Sequence, residues 1–132
     1  MYYVYVLRCQ KPLNYIPPKS NLHYGNGYYV GMSSDWQWRI LQHLTGIGAK
    51  YTKKYRPITL CHLEEYSGNE KEARKREIEV RGLIKNNNFG FSIDKKYLPK
   101  IQNIKRIYLQ FKHKNICPWK PKNSEGRNSM SK

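Results

Sequence analysis

The sequence predicts a small α/β fold: a three-stranded antiparallel sheet flanked by helices, followed by a basic C-terminal extension. Segments rich in β-favouring residues alternate with segments of helical spacing. The first two strand segments are suited to pairing as a hairpin. A chain of 132 residues supports one modest core but hardly two domains. We therefore predict a body at residues 1–90, a helical extension at 91–116 and a disordered basic tail at 117–132.

The first two strands are predicted on either side of a long loop. Residues 2–8 alternate among tyrosine, valine and leucine, and residues 27–32 have a similar composition. Residues 10–27 contain three prolines and two glycines among asparagine, serine and lysine, which predicts a loop.

A helix and a third strand follow the second strand. Ser34 is placed to cap a helix that begins at Asp35, and Gly46 is placed to end it. Pro57 then precedes a strand predicted at residues 58–66.

Two further helices are predicted in the second half of the chain. Asn69 and Glu72 have the spacing of a capping box at the start of one helix, and the three asparagines at 86–88 end it. The other helix is predicted from about Leu98 to Phe111.

The composition indicates a protein that binds nucleic acid inside the cell. The chain has 25 Lys+Arg against 9 Asp+Glu, a net charge of +16, which attracts polyanions. No apolar run is long enough for a membrane span, and the first residues do not have the pattern of a secretion signal. The three cysteines share no metal-ligand spacing and indicate reduced thiols. We expect a cytoplasmic or nuclear location, with oligomeric state left open.

Glu77 is a carboxylate on an apolar helix face. It falls at helical spacing from Ala73 and Val80, so the helix that carries it should bury it at least in part. A carboxylate there needs a cation. The cation is either a neighbouring arginine, Arg74 or Arg81, or a metal ion.

Strand parity places two tyrosines together. If the valines of the first two strands face one core, Tyr5 and Tyr29 emerge on the opposite face of the sheet. Each tyrosine is also explained by ordinary packing. Gly31 weakens its strand unless a backbone or a ligand approaches closely, so it favours a site at this position.

Arg39 and His43 lie one turn apart at the edge of the apolar stripe of the first helix. The alternative is an arginine stem that covers apolar surface and a histidine on the surface. The loop at residues 45–56 mixes glycines, hydroxyls, aromatic rings and cations, a pattern suited to phosphates and sugars. Its candidate nucleic-acid-binding residues are Lys50, Lys53, Lys54 and Arg56.

In this order the motifs resemble the GIY-YIG nuclease superfamily, and in particular its small stand-alone members, which are related to the nuclease domain of bacterial excision-repair proteins. Tyr5 and Tyr29 are similar to the two signature tyrosines, and Gly31 matches the glycine of the second signature. The first signature has Tyr3 where the family has glycine. The loop at residues 46–50 is similar to that of the small members.

The remaining matches are on helices. Arg39 and His43 are similar to the pair on the family's first helix, and Glu77 fits the family's metal-binding glutamate. The resemblance implies a metal-dependent DNA endonuclease that hydrolyses phosphodiester bonds, with Mg²⁺, or Mn²⁺ as a substitute, on Glu77. The catalytic residues that it implies are Tyr5, Tyr29, Arg39, His43 and Glu77.

Within this resemblance, Arg39 is expected to hold a phosphate oxygen. Tyr5 is expected to be the general base for the attacking water and Tyr29 to bind water or phosphate, and these two roles are exchangeable. One alternative is a catalytically inactive nucleic-acid-binding module with the same fold. The sequence argues against another, a basic scaffold or ribosome-associated protein, because it leaves the carboxylate on the apolar helix face unexplained. A role in repair, recombination, restriction or homing is left open.

Overall fold

The predicted sheet is present in the computed structural model, which describes residues 1–10 and 27–114. Strands β1 (Tyr2–Cys9), β2 (Tyr28–Ser33) and β3 (Pro57–Tyr66) form one antiparallel sheet in the order β2-β1-β3. The pairing of β1 with β2 confirms the predicted hairpin partners. Most of the loop predicted between them, residues 11–26, lies outside the described residues, as does the tail predicted at 117–132.

Four α-helices flank the sheet in the described part of the chain. They are α1 (Trp36–Thr45), α2 (Lys50–Lys54), α3 (Glu70–Lys85) and α4 (Leu98–Lys114). The predictions of α1, α3 and α4 are confirmed, whereas α2 lies where a loop was expected. The predicted three-stranded antiparallel sheet flanked by helices is therefore confirmed, and the basic C-terminal extension stays a prediction.

The helix ends follow local chemistry, with one correction. Asn69 caps α3 by accepting from the Glu72 N–H at 2.9 Å, and Gly46 ends α1 in the left-handed conformation at φ 88°. The prediction of Ser34 as the cap of α1 is wrong, because the N-cap is Asp35. The Ser33 hydroxyl accepts from the Asp35 N–H at 2.9 Å, which closes the turn from β2 and moves the helix start one residue on.

The sheet separates two apolar layers, as strand parity predicted. The valine face of the sheet, formed by Val4, Val6 and Val30, packs on Val80 and Ile84 of α3. The tyrosine face, opposite, packs on α1; its buried members include Tyr5, Leu7, Trp36, Ile40 and Leu41.

The segment after residue 90 completes the tyrosine face. Tyr97 and Ile104 are buried in the same cluster as Tyr5, and α4 packs on α1. The division of the chain at residues 90 and 116 stays a prediction. Among the described residues, none of the helices is both long enough and apolar enough to span a membrane.

Candidate active site

Tyr5 occupies the centre of the tyrosine face with its ring over Gly31. The two residues pair across β1 and β2, and a Cβ on Gly31 would lie 2.5 Å from the Tyr5 hydroxyl oxygen. A real Cβ does not approach an oxygen this closely, so the position requires glycine. The close approach that Gly31 indicated is therefore made by a side chain of the protein itself.

His43 joins Tyr5 to the loop after α1. Its Nε2 lies 2.8 Å from the Tyr5 hydroxyl, and its Nδ1 lies 2.8 Å from the Thr52 hydroxyl. The imidazole is fully buried, so the alternative of a surface histidine is wrong. Burial, assisted by the charge of Arg39, lowers the pKa of His43 from 6.5 to about 3, and the ring is neutral at pH 7.

Tyr29 lies against the same imidazole. The ring centroids of Tyr29 and His43 are 4.9 Å apart, and those of Tyr5 and His43 are 5.6 Å apart. Both signature tyrosines therefore converge on His43. Tyr29 also stacks on Tyr51 of α2, at 6.2 Å between centroids.

Arg39 brings positive charge to the Tyr5 hydroxyl. Burial and the proximity of Tyr29 raise the pKa of Tyr5 well above 10, while the charge and hydrogen bonding of Arg39 lower it. Burial prevails, so Tyr5 is a neutral phenol in this structure. Arg39 also donates from Nη1 to the side-chain oxygen of Gln42 at 3.1 Å.

Glu77 lies on the predicted apolar face of α3, and both interpretations of it find support. It is 6% exposed beside the fully buried Ala73 and Val80, and its Oε2 accepts from Arg81 at 3.0 Å. Its charge also raises the pKa of Tyr5, after the larger effects of burial and of Tyr29, although α3 packs on the valine face. Glu77 is thus ion-paired and electrostatically coupled to Tyr5.

The surroundings of Glu77 are compatible with a metal ion whose coordination a substrate phosphate would complete. Burial raises the pKa of Glu77 despite the opposing effects of Arg81 and Arg74, so the ionised carboxylate is under-compensated. In residues 1–10 and 27–114 no three His, Cys, Asp or Glu side chains gather into a metal-binding group. Mg²⁺ is often bound by one or two carboxylates together with water and a substrate phosphate. The single carboxylate of Glu77 is compatible with this mode of coordination.

Comparison with known proteins then decides the family. A family model described as the GIY-YIG catalytic domain matches residues 1–89. The chain belongs to the GIY-YIG family. Its nuclease-type fold and its substrate class, nucleic acid, follow from that membership.

Several curated proteins are similar to this GIY-YIG chain. A UPF0213 protein of Halobacterium salinarum is 34% identical over 83 residues, which cover 63% of this chain and 88% of that protein. A UPF0213 protein of Staphylococcus haemolyticus is 34% identical over 80 residues, with 61% and 79% covered. One of Clostridium perfringens is 31% identical over 86 residues, with 65% and 76% covered. These names specify no activity, and no solved structure matches the chain significantly.

The cations predicted to bind nucleic acid lie on and beside α2 of the GIY-YIG domain. Lys50, Lys53 and Lys54 are exposed. Arg56 is also exposed, but its Nη1 donates to the Leu44 carbonyl at 3.0 Å. Arg56 therefore also satisfies a carbonyl at the C-terminal end of α1.

Two residues that sequence reasoning missed belong to this GIY-YIG site. Thr52 is fully buried against His43, and a Cβ on Gly48 would lie 2.5 Å from the His43 Nδ1. No periodicity links Thr52 to His43, because they lie on different helices. The second glycine of the loop was the available signal, since a loop that crosses a ring closely requires one.

Proposed function

We propose that this GIY-YIG protein is a metal-dependent endonuclease that hydrolyses phosphodiester bonds in DNA. One observation carries the proposal: side chains from three elements act on the Tyr5 hydroxyl. The His43 imidazole hydrogen-bonds it at 2.8 Å and lies 4.9 Å from the Tyr29 ring, and the charges of Arg39 and Glu77 shift its pKa in opposite directions. A strongly perturbed group at such a convergence is a functional-site candidate.

Arg39 binds the scissile phosphate in this proposal. Its side chain is half-buried, and the neutral amide of Gln42 that it contacts leaves its charge available to an anion. The planar guanidinium can hold a non-bridging oxygen with two parallel hydrogen bonds. These contacts strengthen as negative charge develops in the transition state.

Tyr5 is the proposed general base for the attacking water. Its phenol is protonated at pH 7, so it can act as a base only where cations, Arg39 and a metal ion on Glu77, would lower its pKa. The neutral His43, whose pKa is about 3, is a hydrogen-bond partner at 2.8 Å that holds the hydroxyl in place and does not take its proton. Arg39 stabilises the phenolate form of Tyr5. Tyr29 binds the water or the phosphate. In the alternative form of this scheme the two tyrosines exchange these roles.

Glu77 would hold Mg²⁺, with Mn²⁺ as a substitute. The ion would stabilise the negative charge that develops on the phosphate and on the leaving oxygen in the transition state. The protein's own contribution is a buried carboxylate on the same helix face as the buried Ala73 and Val80, and its charge raises the pKa of Tyr5. Binding of a cation competes with the Arg81 ion pair for this carboxylate.

Lys50, Lys53 and Lys54 are proposed to contact DNA phosphates on the approach to the site. They are exposed on the helix that carries Tyr51, whose ring stacks on Tyr29. With a net charge of +16 on the chain, the association should be strongly dependent on salt. The intracellular location stays a prediction.

Cleavage assays on branched, nicked and plain duplex DNA test the proposal. The wild type should cleave at least one of them in Mg²⁺ and none in EDTA, and Glu77→Gln should abolish cleavage. Glu79→Gln is the matched control, because Glu79 lies on the same helix with its side chain 62% exposed. Failure of the wild type on every substrate, or full activity of Glu77→Gln, would refute the catalytic proposal.

A catalytically inactive nucleic-acid-binding module is the second candidate. The 3.0 Å ion pair between Glu77 and Arg81 favours it, because it gives the buried carboxylate a partner without any metal. This candidate predicts DNA binding that weakens with salt but is unaffected by EDTA and by Glu77→Gln. The endonuclease predicts that Mg²⁺ raises the melting temperature of the wild type and not of Glu77→Gln.

A further inference from the structure

A buried row of hydrogen bonds runs from Tyr5 through His43 to Thr52 and ends on the backbone. The two bonds to the imidazole are both 2.8 Å, and the Thr52 hydroxyl lies 3.2 Å from the Ala49 carbonyl oxygen. His43 and Thr52 are both 0% exposed. The atom that carries each proton in these hydrogen bonds is therefore determined by the protein's own donors and acceptors rather than by solvent.

The directions of the other two bonds follow if Thr52 donates to the Ala49 carbonyl. The Ala49 carbonyl can only accept, so Thr52 uses its single hydroxyl hydrogen there. The Thr52 oxygen must then accept from His43, which places the imidazole hydrogen on Nδ1. Nε2 is left with a lone pair, and the Tyr5 hydroxyl donates to it.

We infer that Thr52 is a positioning residue that holds His43 in the Nδ1–H tautomer, so that Nε2 accepts a hydrogen bond from the Tyr5 hydroxyl and fixes its orientation. With the opposite tautomer, Nε2–H would donate to Tyr5 and no hydrogen-bond acceptor for the Tyr5 hydroxyl would remain on the ring. The catalytic meaning of this inference rests on the proposed function, whereas the tautomer itself does not.

The loop after α1 is shaped to keep this arrangement. Gly48 packs so closely on His43 that a Cβ would lie 2.5 Å from Nδ1 and 3.0 Å from the His43 Cα. Thr52 lies on α2 between the exposed Lys50 and Lys54. The helix proposed to contact DNA is therefore also the helix that sets the position of the imidazole proton.

Nitrogen NMR of histidine-labelled protein, without DNA or metal, tests the inference. The wild type should show a protonated Nδ1 and an unprotonated Nε2 for His43. Thr52→Val removes the hydroxyl with little change in shape and should lose the Nδ1–H tautomer, whereas Thr52→Ser should keep it. Tyr5→Phe, which removes the donor to Nε2 but leaves Thr52, should also keep it.

Cleavage rates supply the second readout. Thr52→Val should lower kcat by about 10- to 100-fold, the range found when a metal-bound histidine loses the partner that orients it. Thr52→Ser should keep a kcat close to that of the wild type, and KM should change little in either variant. If Thr52 had a purely structural role, the cleavage rate of each variant would instead decrease in proportion to its loss of stability.

The outcomes separate this inference from the proposed function. A protonated Nε2 in the wild type, or an unchanged Nδ1–H in Thr52→Val, would overturn the inference and leave the endonuclease proposal standing. Should Thr52→Val not fold, the wild-type spectrum alone still decides the tautomer. An inactive wild type with the expected spectrum would refute the nuclease and retain the role of Thr52.

Discussion

Gly31 is the residue at which a missing side chain makes room for the site. Its position in a strand indicated a close approach, but strand parity specifies a face and not how far a side chain reaches. For that reason the sequence did not identify the approaching group. In the structure it is the Tyr5 hydroxyl, the same group on which His43 and Arg39 act.

Gly31→Ala should impair catalysis more than stability explains. The added Cβ would lie 2.5 Å from the Tyr5 oxygen, so the ring must move away from His43. A misplacement of about 1 Å costs roughly 100-fold in rate, and overpacking costs about 1–3 kcal/mol of stability. Single-turnover cleavage and urea unfolding measure the two effects.

Gly82→Ala is the matched control for that substitution. A Cβ at Gly82 meets nothing within 4 Å, and the residue is exposed within α3. Alanine should therefore raise the free energy of unfolding by about 0.5–1 kcal/mol and leave cleavage unchanged. Wild-type activity in Gly31→Ala would contradict the role given to the Tyr5 position.

His43 should make folding stability depend on pH below neutrality. Its pKa is about 3 in the folded protein against an ordinary value of 6.5, so between these values the unfolded chain binds a proton that the folded protein does not. The stabilisation is complete above pH 6.5 and decreases by up to about 1.4 kcal/mol per pH unit as pH falls toward 3. His43→Gln should reduce this slope in urea unfolding from pH 7 to pH 4. An identical slope in the variant would contradict the buried neutral ring.

The side chains of the site were predictable where local periodicity governs them. Helical spacing placed Glu77 on a buried face, and strand parity placed Tyr5 and Tyr29 together. The burial of His43 and the contact with Thr52 were not predictable. Both depend on the loop after α1 folding back over the helix, which no local pattern specifies.

The helices and strands were predictable to the extent that their ends carry local signals. Asn69 and Gly46 cap their helices as their residue types suggest. Ser34 did not, because the neighbouring Ser33 bonds the turn instead. The five residues of α2 are too short to show a helical period, so a loop was expected there.

Arg76 connects β3 to α3 and should matter for stability rather than catalysis. It donates to both oxygens of Glu64, at 2.6 and 3.0 Å, and to Glu79 at 2.9 Å. Burial raises the pKa of Glu64, but hydrogen bonds from Arg76 and His62 outweigh it and leave the pKa below 4.5. The ionised carboxylate therefore stabilises the fold above pH 4.5, and this contribution is lost as pH falls through its lower folded-state pKa.

Glu64→Gln should lower the free energy of unfolding by about 1–3 kcal/mol at pH 7, and by less in acid below pH 4.5. Glu70→Gln is the control, because the Glu70–Arg74 pair is more than half exposed and its loss should change stability by less than about 1 kcal/mol. Guanidinium or urea titrations at pH 7 and pH 3 measure both variants. Equal effects at the two pH values would contradict the role of the ionised carboxylate.

At the scale of the whole molecule, the sequence predicts the fold but not how side chains from different elements come together around Tyr5. The order of motifs gave the fold class and the family. It did not show that the charge of Glu77, on the helix against the valine face, affects the pKa of a tyrosine on the opposite face. That relation depends on the packing of α3 against the sheet, which is set by the assembled core.

The positive charge of the whole chain should act through particular lysines. If Lys53 contacts a phosphate, Lys53→Gln should weaken DNA binding equally for all sequences and reduce the salt dependence of log K by about one unit. Lys85→Gln, an exposed cation at the far end of α3, should change neither quantity. Binding measured by fluorescence anisotropy at several salt concentrations checks this. Equal effects of the two variants would favour a diffuse basic surface.

The central claim is that Tyr5 and Glu77 belong to one catalytic site, and a double-mutant cycle on cleavage rate tests it most directly. Single-turnover rates in Mg²⁺ are measured for the wild type, Tyr5→Phe, Glu77→Gln and the double variant. Groups that act as a unit are strongly non-additive. We therefore predict a large loss in each single variant and little further loss in the double. Losses that multiply, or a wild-type rate in either single variant, would contradict a shared site.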